Sequence, residues 1–163
     1  MYESLINGKE KRVAYERVAE RIWLLIDEST DWVGAMATVV CELHHAFDYF
    51  HWTGFYRTIR PEWLQVGPYQ GGHGCIDISF TNGVCGAAAR TQKTQLLKDV
   101  TQFSGHIDCS PTTQSEIVVP IVTSSGETVA VLDVDSDNAA AFDELDLEFL
   151  EAICNELAAR YAA

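Results

Sequence analysis

The sequence is poor in basic residues and in long apolar runs. Its 163 residues include 24 Asp and Glu against 11 Lys and Arg, so the formal net charge is −13. Nucleic-acid binding relies on basic patches, and this charge argues against such a partner. No segment approaches the roughly 20 apolar residues of a membrane span, and the N-terminus lacks the apolar stretch of a secretory signal. We therefore expect a cytoplasmic protein with neither a membrane nor a nucleic acid as its partner.

Cysteine pairs of the Cys-x-x-Cys type are also missing. The five cysteines are Cys41, Cys75, Cys85, Cys109 and Cys154. An odd number of cysteines in a chain of this length does not predict a framework of structural disulfides. A length of 163 residues instead predicts one domain, residues 1–163, folded around one hydrophobic core.

Helical periodicity is found near both ends of the chain. Apolar residues recur at three-to-five-residue steps over residues 9–27, which predicts a first helix that buries Val13, Val18, Ile22, Leu25 and Ile26. Asp31 is predicted to cap a second helix over residues 32–47. Asp143, followed three residues later by Asp146, is predicted to cap a last helix. We expect the first two helices to pack together and the last one to close the fold.

Between these helices the sequence favours β-strands. Short β-rich runs occur at residues 52–59, 63–67, 75–80, 94–100, 116–123 and 128–135. A brief helix over residues 84–91 interrupts them and places Cys85 in its first turn. The pattern predicts an α+β fold, in which a central antiparallel sheet is flanked by N-terminal helices and a C-terminal helix.

Cys109 stands out because it lies in a long polar loop between two predicted strands. A cysteine is usually a small buried hydrophobe, and Cys41 and Cys154 on helix faces fit that description. A loop thiol is more typical of redox chemistry, in which a sulfenic acid is captured by a neighbouring thiol. Cys75 and Cys85 are the candidates for that neighbour. The predicted helix N-terminus is expected to favour the thiolate of Cys85.

Three carboxylates interrupt strands that are otherwise apolar. Glu116, Asp133 and Asp135 lie at the ends of two strands that we expect to be neighbours. A solvent-facing strand surface tolerates single acids, but three together favour a ligand pocket in which they bind a cation or share a proton. Trp52 and Tyr56 are most simply core residues. Their spacing puts both on one face of a strand, where they could also form a wall of the pocket.

A zinc site is an alternative interpretation of the same region. One residue separates His73 from Cys75, and two residues separate His106 from Cys109, giving two nitrogen and two sulfur donors. Such a set could hold zinc in a structural module. The spacing is looser than that of the usual paired zinc ligands, which favours the thiol chemistry.

Six short motifs occur in order along nearly the whole chain. They are Trp-Thr-Gly-Phe-Tyr at 52–56, Gly-Pro-Tyr-Gln-Gly at 67–71, Gly-Val-Cys-Gly at 83–86, Gly-His-Ile at 105–107 with Cys109, Ser-Glu-Ile-Val-Val-Pro at 115–120 and Val-Leu-Asp-Val-Asp-Ser at 131–136. Together they closely resemble the motifs of the free methionine-R-sulfoxide reductases, which are GAF-domain enzymes. The resemblance implies a GAF-type fold and the reduction of free methionine-R-sulfoxide to methionine.

The resemblance also implies a role for each loop cysteine. Cys109 matches the catalytic cysteine, whose thiolate attacks the substrate sulfur and becomes a sulfenic acid. Cys75 matches the principal resolving cysteine, which forms a disulfide with it, and Cys85 matches a third cysteine that can assist or exchange. Thioredoxin or an equivalent dithiol is the implied reductant, with no bound cofactor and no metal.

The remaining candidate residues match the family's substrate site. Glu116, Asp133 and Asp135 match its substrate-binding carboxylates, which would hold the α-ammonium group, and we expect Glu116 or Asp135 to be the acid that protonates the departing oxygen. Trp52 and Tyr56 match aromatic residues that pack against the methyl-sulfoxide end of the substrate.

Two departures from the family pattern affect charge near the sulfurs. Asn82 stands where the family usually has an arginine, and Asp108, Cys109 and Ser110 stand where it commonly has Ala-Cys-Asp. Both changes are expected to raise the pKa of the Cys109 thiol and to slow its attack.

The main alternative function is a non-catalytic GAF sensor that binds a small molecule in the same pocket. The habits of the family also make a homodimer plausible.

Overall fold

Helices and strands alternate in an α+β arrangement in the computed structural model, which describes residues 8–28, 30–105 and 109–162. The helices are α1 (Gly8–Leu25), α2 (Trp32–Ala46), α3 (Gly83–Thr91) and α4 (Glu144–Tyr161), with a 3-10 helix at Val100–Gln102. The strands are β1 (Trp52–Arg60), β2 (Trp63–Gln70), β3 (Asp77–Ser79), β4 (Gln95–Leu97), β5 (Ser115–Val122) and β6 (Thr128–Ser136). Among the described helices, none is long and apolar enough to cross a membrane.

The six strands form one sheet in the order β3-β2-β1-β6-β5-β4. Every neighbouring pair in this sheet is antiparallel, so the predicted sheet type is confirmed. The edge strands β3 and β4 have three residues each and are shorter than the sequence predicts. Because the first of them begins at Asp77, Cys75 lies in the connection before it and not within a strand.

The central strands are buried on both faces, which explains their nearly continuous apolar sequences. Side chains of successive strand residues point to opposite faces. Phe55 and Leu132 therefore join the larger core, formed with α1, α2 and α4. Tyr56 and Val131 join a smaller core beneath α3. The sheet thus separates a helix-covered core from a second face on which α3 is the only described α-helix.

The predicted helix caps are confirmed. The Asp31 side chain accepts a hydrogen bond from the Gly34 backbone N–H at 2.7 Å. Asp143 caps α4 and forms a capping box with Asp146, whose carboxylate accepts a hydrogen bond from the Asp143 backbone N–H at 2.7 Å. Each cap pairs backbone donors that would otherwise lack an intrahelical partner.

The buried face of α1 differs from the prediction at two positions. Val13 and Leu25 are 39% and 54% exposed, respectively. The observed stripe follows three- and four-residue steps through Lys11, Tyr15, Val18, Ile22 and Ile26. The burial of Val18, Ile22 and Ile26 is confirmed. The pattern missed Lys11, because hydrophobic periodicity does not select a charged residue.

Lys11 is buried because it belongs to a polar network centred on Asp146. Its ammonium group donates to the Asp146 carboxylate, which is fully buried. The hydroxyl groups of Tyr15 and Tyr49 donate to the same carboxylate, each at 2.7 Å. One side chain in the first turn of α4 therefore holds α1 and the segment after α2, and it compensates the buried positive charge.

We expect Asp146→Ala to lower the free energy of unfolding by about 3 kcal/mol, since it removes the buried partner of the Lys11 ammonium group and leaves only the largely exposed Asp143 carboxylate to pair with it. Glu148→Ala is the matched control. Glu148 pairs with Arg12 across the same two helices, but that pair is exposed and contributes little. Urea unfolding measures the free energy of unfolding of both variants. An equal decrease in the two would contradict a larger contribution from the buried network.

Candidate active site

Strand pairing brings the three strand carboxylates together on the α3 side of the sheet. Glu116 on β5 lies directly opposite Asp135 on β6. Asp133 is two residues before Asp135 and therefore on the same face, next to Gly54 of β1. We call Glu116, Asp133 and Asp135 the carboxylate cluster. The pairing register of β5 and β6, which were expected to be neighbours, brings the cluster together.

The carboxylate cluster lies in the wall of a cavity of about 380 Å³ between the sheet and α3. The cavity is lined by Tyr56, Ile78, Gly83, Val84, Cys85, Cys109, Ser110, Thr113, Glu116, Asp133 and Asp135. The first turn of α3 and the segment that follows Cys109 thus face the sheet across the cavity. Six of the eight candidate residues meet here.

Cys109 is bonded to Cys75 in a disulfide, with 5.3 Å between the two Cα atoms. Cys109 lines the cavity, whereas Cys75 is not among the described lining residues. The two sulfurs cannot act as thiolate ligands while they are bonded to each other, which disfavours the zinc set proposed from the sequence. His106 of that set, and Asp108, lie outside the described residues.

Cys85 is a free thiol in the first turn of α3 and is only 4% exposed. The sequence led us to expect that the helix N-terminus would favour its thiolate. The structure shows the opposite balance: burial raises the pKa of the Cys85 thiol well above its usual value, and Asp133 and Glu116 add to the rise. Loss of solvation and nearby negative charge outweigh the helix dipole, so Cys85 stays protonated.

Burial also raises the pKa of two of the carboxyl groups, which favours their protonated forms. The pKa of Asp133 is raised well above its usual value, first by burial and then by Glu116. The pKa of Asp135 is raised by burial and by Asp133. Asp133 is 5% exposed, and its Oδ1 has no hydrogen-bond partner among the described residues. The cavity therefore holds proton donors and one buried oxygen that can accept a hydrogen bond from a ligand.

Tyr56 and Trp52 occupy successive layers beside the cavity. Tyr56 lines it, and Trp52 stacks on Tyr56 with 5.7 Å between the ring centroids. Trp52 is not among the described residues that line the cavity, so its contribution is to support Tyr56. Gly54 makes this possible, because a Cβ atom there would lie 2.5 Å from the Trp52 ring. Gly74 leaves similar room, since its Cβ would lie 2.8 Å from the Tyr56 hydroxyl.

Sequence reasoning missed the backbone contribution of α3. The Gly-Val-Cys-Gly motif drew attention to its cysteine, but Gly83 and Val84 also line the cavity. Asn82 precedes them at the N-cap position, and in the described structure its side chain makes no capping hydrogen bond. The first-turn N–H groups of a helix attract anions, so this end of the cavity is suited to a carboxylate. Gly83, which opens the motif, was the sequence feature that could have indicated this backbone contribution.

One group of side chains at the site could hold a metal ion. Single ligand atoms of Cys85, Glu116 and Asp133 all lie within 4.8 Å of one another. A thiolate with two carboxylates suits a borderline-soft ion such as zinc. Because the pKa values of Cys85 and Asp133 are raised, binding of such an ion would have to displace protons from them.

Comparisons with known proteins agree with the geometry. A family model described as "GAF domain" matches residues 21–159, a range that contains all eight candidate residues. The chain is 39% identical over 148 residues to the free methionine-R-sulfoxide reductase of Saccharomyces cerevisiae, covering 85% of this chain and 82% of the yeast protein. It is 32% identical over 133 residues to the Escherichia coli protein of the same name, covering 82% and 79%.

A solved structure gives the same result for the fold. The free methionine-R-sulfoxide reductase of Neisseria meningitidis, in complex with its substrate, superposes with a TM-score of 0.88 at 36% identity. The superposition covers 99% of this chain and 96% of that one.

The raised pKa of Asp133 predicts how stability depends on pH. The folded protein retains a proton that the unfolded chain releases above about pH 4, so the free energy of unfolding falls as pH rises from there toward the folded-state pKa. The side-chain amide of the variant Asp133→Asn has no such proton to lose. We therefore expect the stability of Asp133→Asn, relative to the unsubstituted protein, to improve as pH rises.

Denaturant unfolding at a series of pH values tests this expectation. Asp48→Asn removes an exposed carboxyl group and is the control, for which we expect a nearly constant difference. A relative stability of Asp133→Asn that falls with rising pH would show that the buried carboxyl group is ionised in the folded protein.

Proposed function

This chain belongs to the GAF-domain family and, within it, to the free methionine-R-sulfoxide reductases, and from that membership we propose that it reduces free methionine-R-sulfoxide at Cys109. One observation carries the proposal. A cysteine able to form a disulfide lines the same small cavity as a cluster of buried carboxyl groups. Sulfoxide reduction needs both a sulfur nucleophile and a proton donor within reach of one substrate atom.

The proposed reaction has two covalent steps. The Cys109 thiolate attacks the sulfoxide sulfur, the sulfur–oxygen bond breaks as the oxygen is transferred to Cys109, and methionine leaves a sulfenic acid behind. The Cys75 thiol then displaces that oxygen as water and forms the disulfide. Two thiols are oxidised to one disulfide while one sulfoxide is reduced. The Cys75–Cys109 pairing in the structure corresponds to the product of the second step.

The carboxylate cluster supplies the proton that the departing oxygen needs. A general acid must still hold its proton at the working pH, and the raised pKa of Asp135 meets that condition. The sequence suggested Glu116 or Asp135 for this role. The structure adds Asp133, whose pKa is also raised, but its unpartnered oxygen fits it better to binding.

The two ends of the cavity suit the two ends of a free amino acid. The Asp133 oxygen can accept a hydrogen bond from the substrate ammonium group, which restores a partner to a buried acceptor. The first turn of α3 can bind the substrate carboxylate through its N–H groups. Within a protein chain both groups are replaced by amides, so these contacts select the free amino acid.

The dimensions of the site agree with a small substrate. The space among the lining side chains is about 380 Å³, including the part that is open to solvent, so the site suits a small molecule. Tyr56 offers an aromatic wall to the methyl-sulfoxide end, and Trp52 supports it from behind. A non-catalytic sensor could use the same cavity, but sensing would not require a disulfide-forming cysteine in its wall.

Turnover requires an external reductant. We propose thioredoxin or an equivalent dithiol, acting by thiol–disulfide exchange in the cytoplasm without a resident cofactor. A homodimer is part of the same proposal and follows from family membership.

We expect methionine release from the free R epimer of methionine sulfoxide, with a thioredoxin system as reductant. The S epimer and a peptide-bound R-sulfoxide are expected to give none, since one reverses the sulfoxide geometry and the other lacks the free ammonium group. Chromatographic detection of methionine measures all three. Release from none of them by folded protein would favour the sensor.

Variants of the two bonded cysteines test which is the nucleophile and which is the resolving cysteine. Cys109→Ser is expected to lower the turnover number by more than about a thousandfold, because it removes the nucleophile. Cys75→Ser is expected to release one methionine per protein and then stop. Cys41→Ser changes an exposed cysteine outside the cavity and is the matched control. Full turnover by Cys109→Ser would contradict the mechanism.

A further inference from the structure

We propose that the side chains of Cys85, Glu116 and Asp133 form a binding site for a divalent cation of borderline softness, such as Zn²⁺. We call these three side chains the ligand triad. The ion is an inhibitory ligand of the cavity and not a cofactor of the proposed reaction. The existence of the site does not rest on that reaction.

Three different elements each supply one ligand. Cys85 comes from the first turn of α3, Glu116 from β5 and Asp133 from β6. Single ligand atoms of the three side chains all lie within 4.8 Å of one another. The ligand atoms of a tetrahedral zinc site are about 3.3–3.8 Å apart, given zinc bonds of about 2.0 Å to oxygen and about 2.3 Å to sulfur. Side-chain shifts of about 1 Å are therefore enough to close the triad around an ion.

Asp133 already presents an oxygen that lacks a partner. The side chain lines the cavity and is 5% exposed, and its Oδ1 has no hydrogen-bond partner among the described residues. The same carboxyl group is hydrogen-bonded to Cys85 and to Glu116, so the unpartnered oxygen belongs to a side chain that contacts both other ligands. A buried acceptor without a partner costs free energy, which a bound cation would recover.

The charge of the cavity also favours a cation. No basic side chain occurs among the described residues that line it, whereas Glu116, Asp133 and Asp135 are acidic. Asp146 is buried as well, but it is paired with the Lys11 ammonium group on the other side of the sheet. The net charge of −13 adds a long-range attraction for cations. A divalent ion would thus give the triad the positive charge that Lys11 gives Asp146.

The ligand atoms select the class of ion. One sulfur and two carboxylate oxygens suit Zn²⁺ and its softer probe Cd²⁺ better than Mg²⁺ or Ca²⁺, which take oxygen ligands. Three protein ligands leave the fourth position of a tetrahedral ion to water. The protons that the raised pKa values of Cys85 and Asp133 favour are released to solvent when the ion binds.

The ligand triad does not depend on the redox state of the disulfide. Cys85 is a free cysteine while Cys75 and Cys109 are bonded to each other. The zinc set predicted from the sequence needs both bonded sulfurs, whereas the triad is complete in the disulfide form. Thiolate coordination of a metal by the oxidised protein therefore distinguishes the two sets.

An ion on the triad would take the Asp133 oxygen that we assign to the substrate ammonium group. This consequence, unlike the site itself, rests on the proposed function. The ion and free methionine-R-sulfoxide are then expected to exclude each other from the cavity.

Titration of the oxidised protein with Cd²⁺ tests the site, because a cadmium–thiolate bond absorbs in the ultraviolet. A Cys41→Ser background removes the exposed free thiol and leaves Cys85 and Cys154 as the free cysteines. We expect the absorption to appear in this background and to be lost on adding Cys85→Ala. Cys154→Ala also removes a buried thiol, but from the core on the opposite side of the sheet, and is expected to keep the absorption. Circular dichroism checks that each variant is folded.

A second variant tests the triad with its thiol in place. Changes to residues around metal ligands already weaken binding by about 10–100-fold, so we expect Asp133→Asn to raise the cadmium dissociation constant at least tenfold. Asp48→Asn, which changes an exposed carboxyl group, is the control and is expected to leave the constant unchanged. This measurement decides the proposal if Cys85→Ala does not fold.

Three results would overturn the proposal. They are no thiolate absorption from the folded oxidised protein, an absorption that survives Cys85→Ala, and an unchanged dissociation constant in Asp133→Asn. Either of the last two would place the ion outside the ligand triad.

Competition with the substrate is measured on the same samples. The oxidised protein cannot reduce methionine-R-sulfoxide, since Cys109 is bonded to Cys75, so the sulfoxide acts only as a ligand. We expect it to raise the apparent cadmium dissociation constant. A sulfoxide that binds the metal-free protein without affecting cadmium would contradict the shared Asp133 oxygen. A sulfoxide that does not bind would count against the proposed function, while the cadmium spectra would still test the metal site.

Discussion

The placement of three acidic side chains, two buried and one half-buried, on one face of a central β-sheet is the constraint on which the site depends. Placing a carboxylate in an apolar interior costs several kcal/mol, and the usual response is for the group to keep its proton. Asp133 and Asp135 follow this rule. A protonated carboxyl group at neutral pH is what a reaction that expels oxygen needs. The burial of these carboxyl groups, which lowers the stability of the fold, therefore also provides proton donors for the proposed reaction.

The two faces of the sheet divide stability from reactivity. On the face covered by α1, α2 and α4, Asp146 is as buried as the cavity acids, but it is paired with Lys11 and accepts bonds from Tyr15 and Tyr49. On the α3 face, Asp133 keeps an unpartnered oxygen in the described structure. The contrast between a compensated and an uncompensated buried acid points to the α3 face independently of any cysteine, because an unsatisfied acceptor that lines a cavity is available to a ligand.

The sequence predicted the features that depend on local patterns. Helix caps at Asp31 and Asp143, and the antiparallel sheet, follow from neighbouring residues alone and were confirmed. The pairing of β5 with β6, which assembles the carboxylate cluster, was also expected, but other features that depend on tertiary placement were missed or reversed. Lys11 belongs to the buried stripe only because Asp146 is 135 positions away in sequence, and Cys85 is a protonated thiol only because strands β5 and β6 pass beneath it.

The state of Cys85 also bears on which thiol resolves the sulfenic acid. A resolving cysteine must attack, and a buried thiol whose pKa is raised by burial and by two acids is a weak nucleophile. Cys75 is outside that environment and is already bonded to Cys109. Cys85 can instead act as a hydrogen-bond donor beside Asp133. In the proposed reaction, such a thiol would hold the Asp133 carboxyl group in position and take no part in electron transfer.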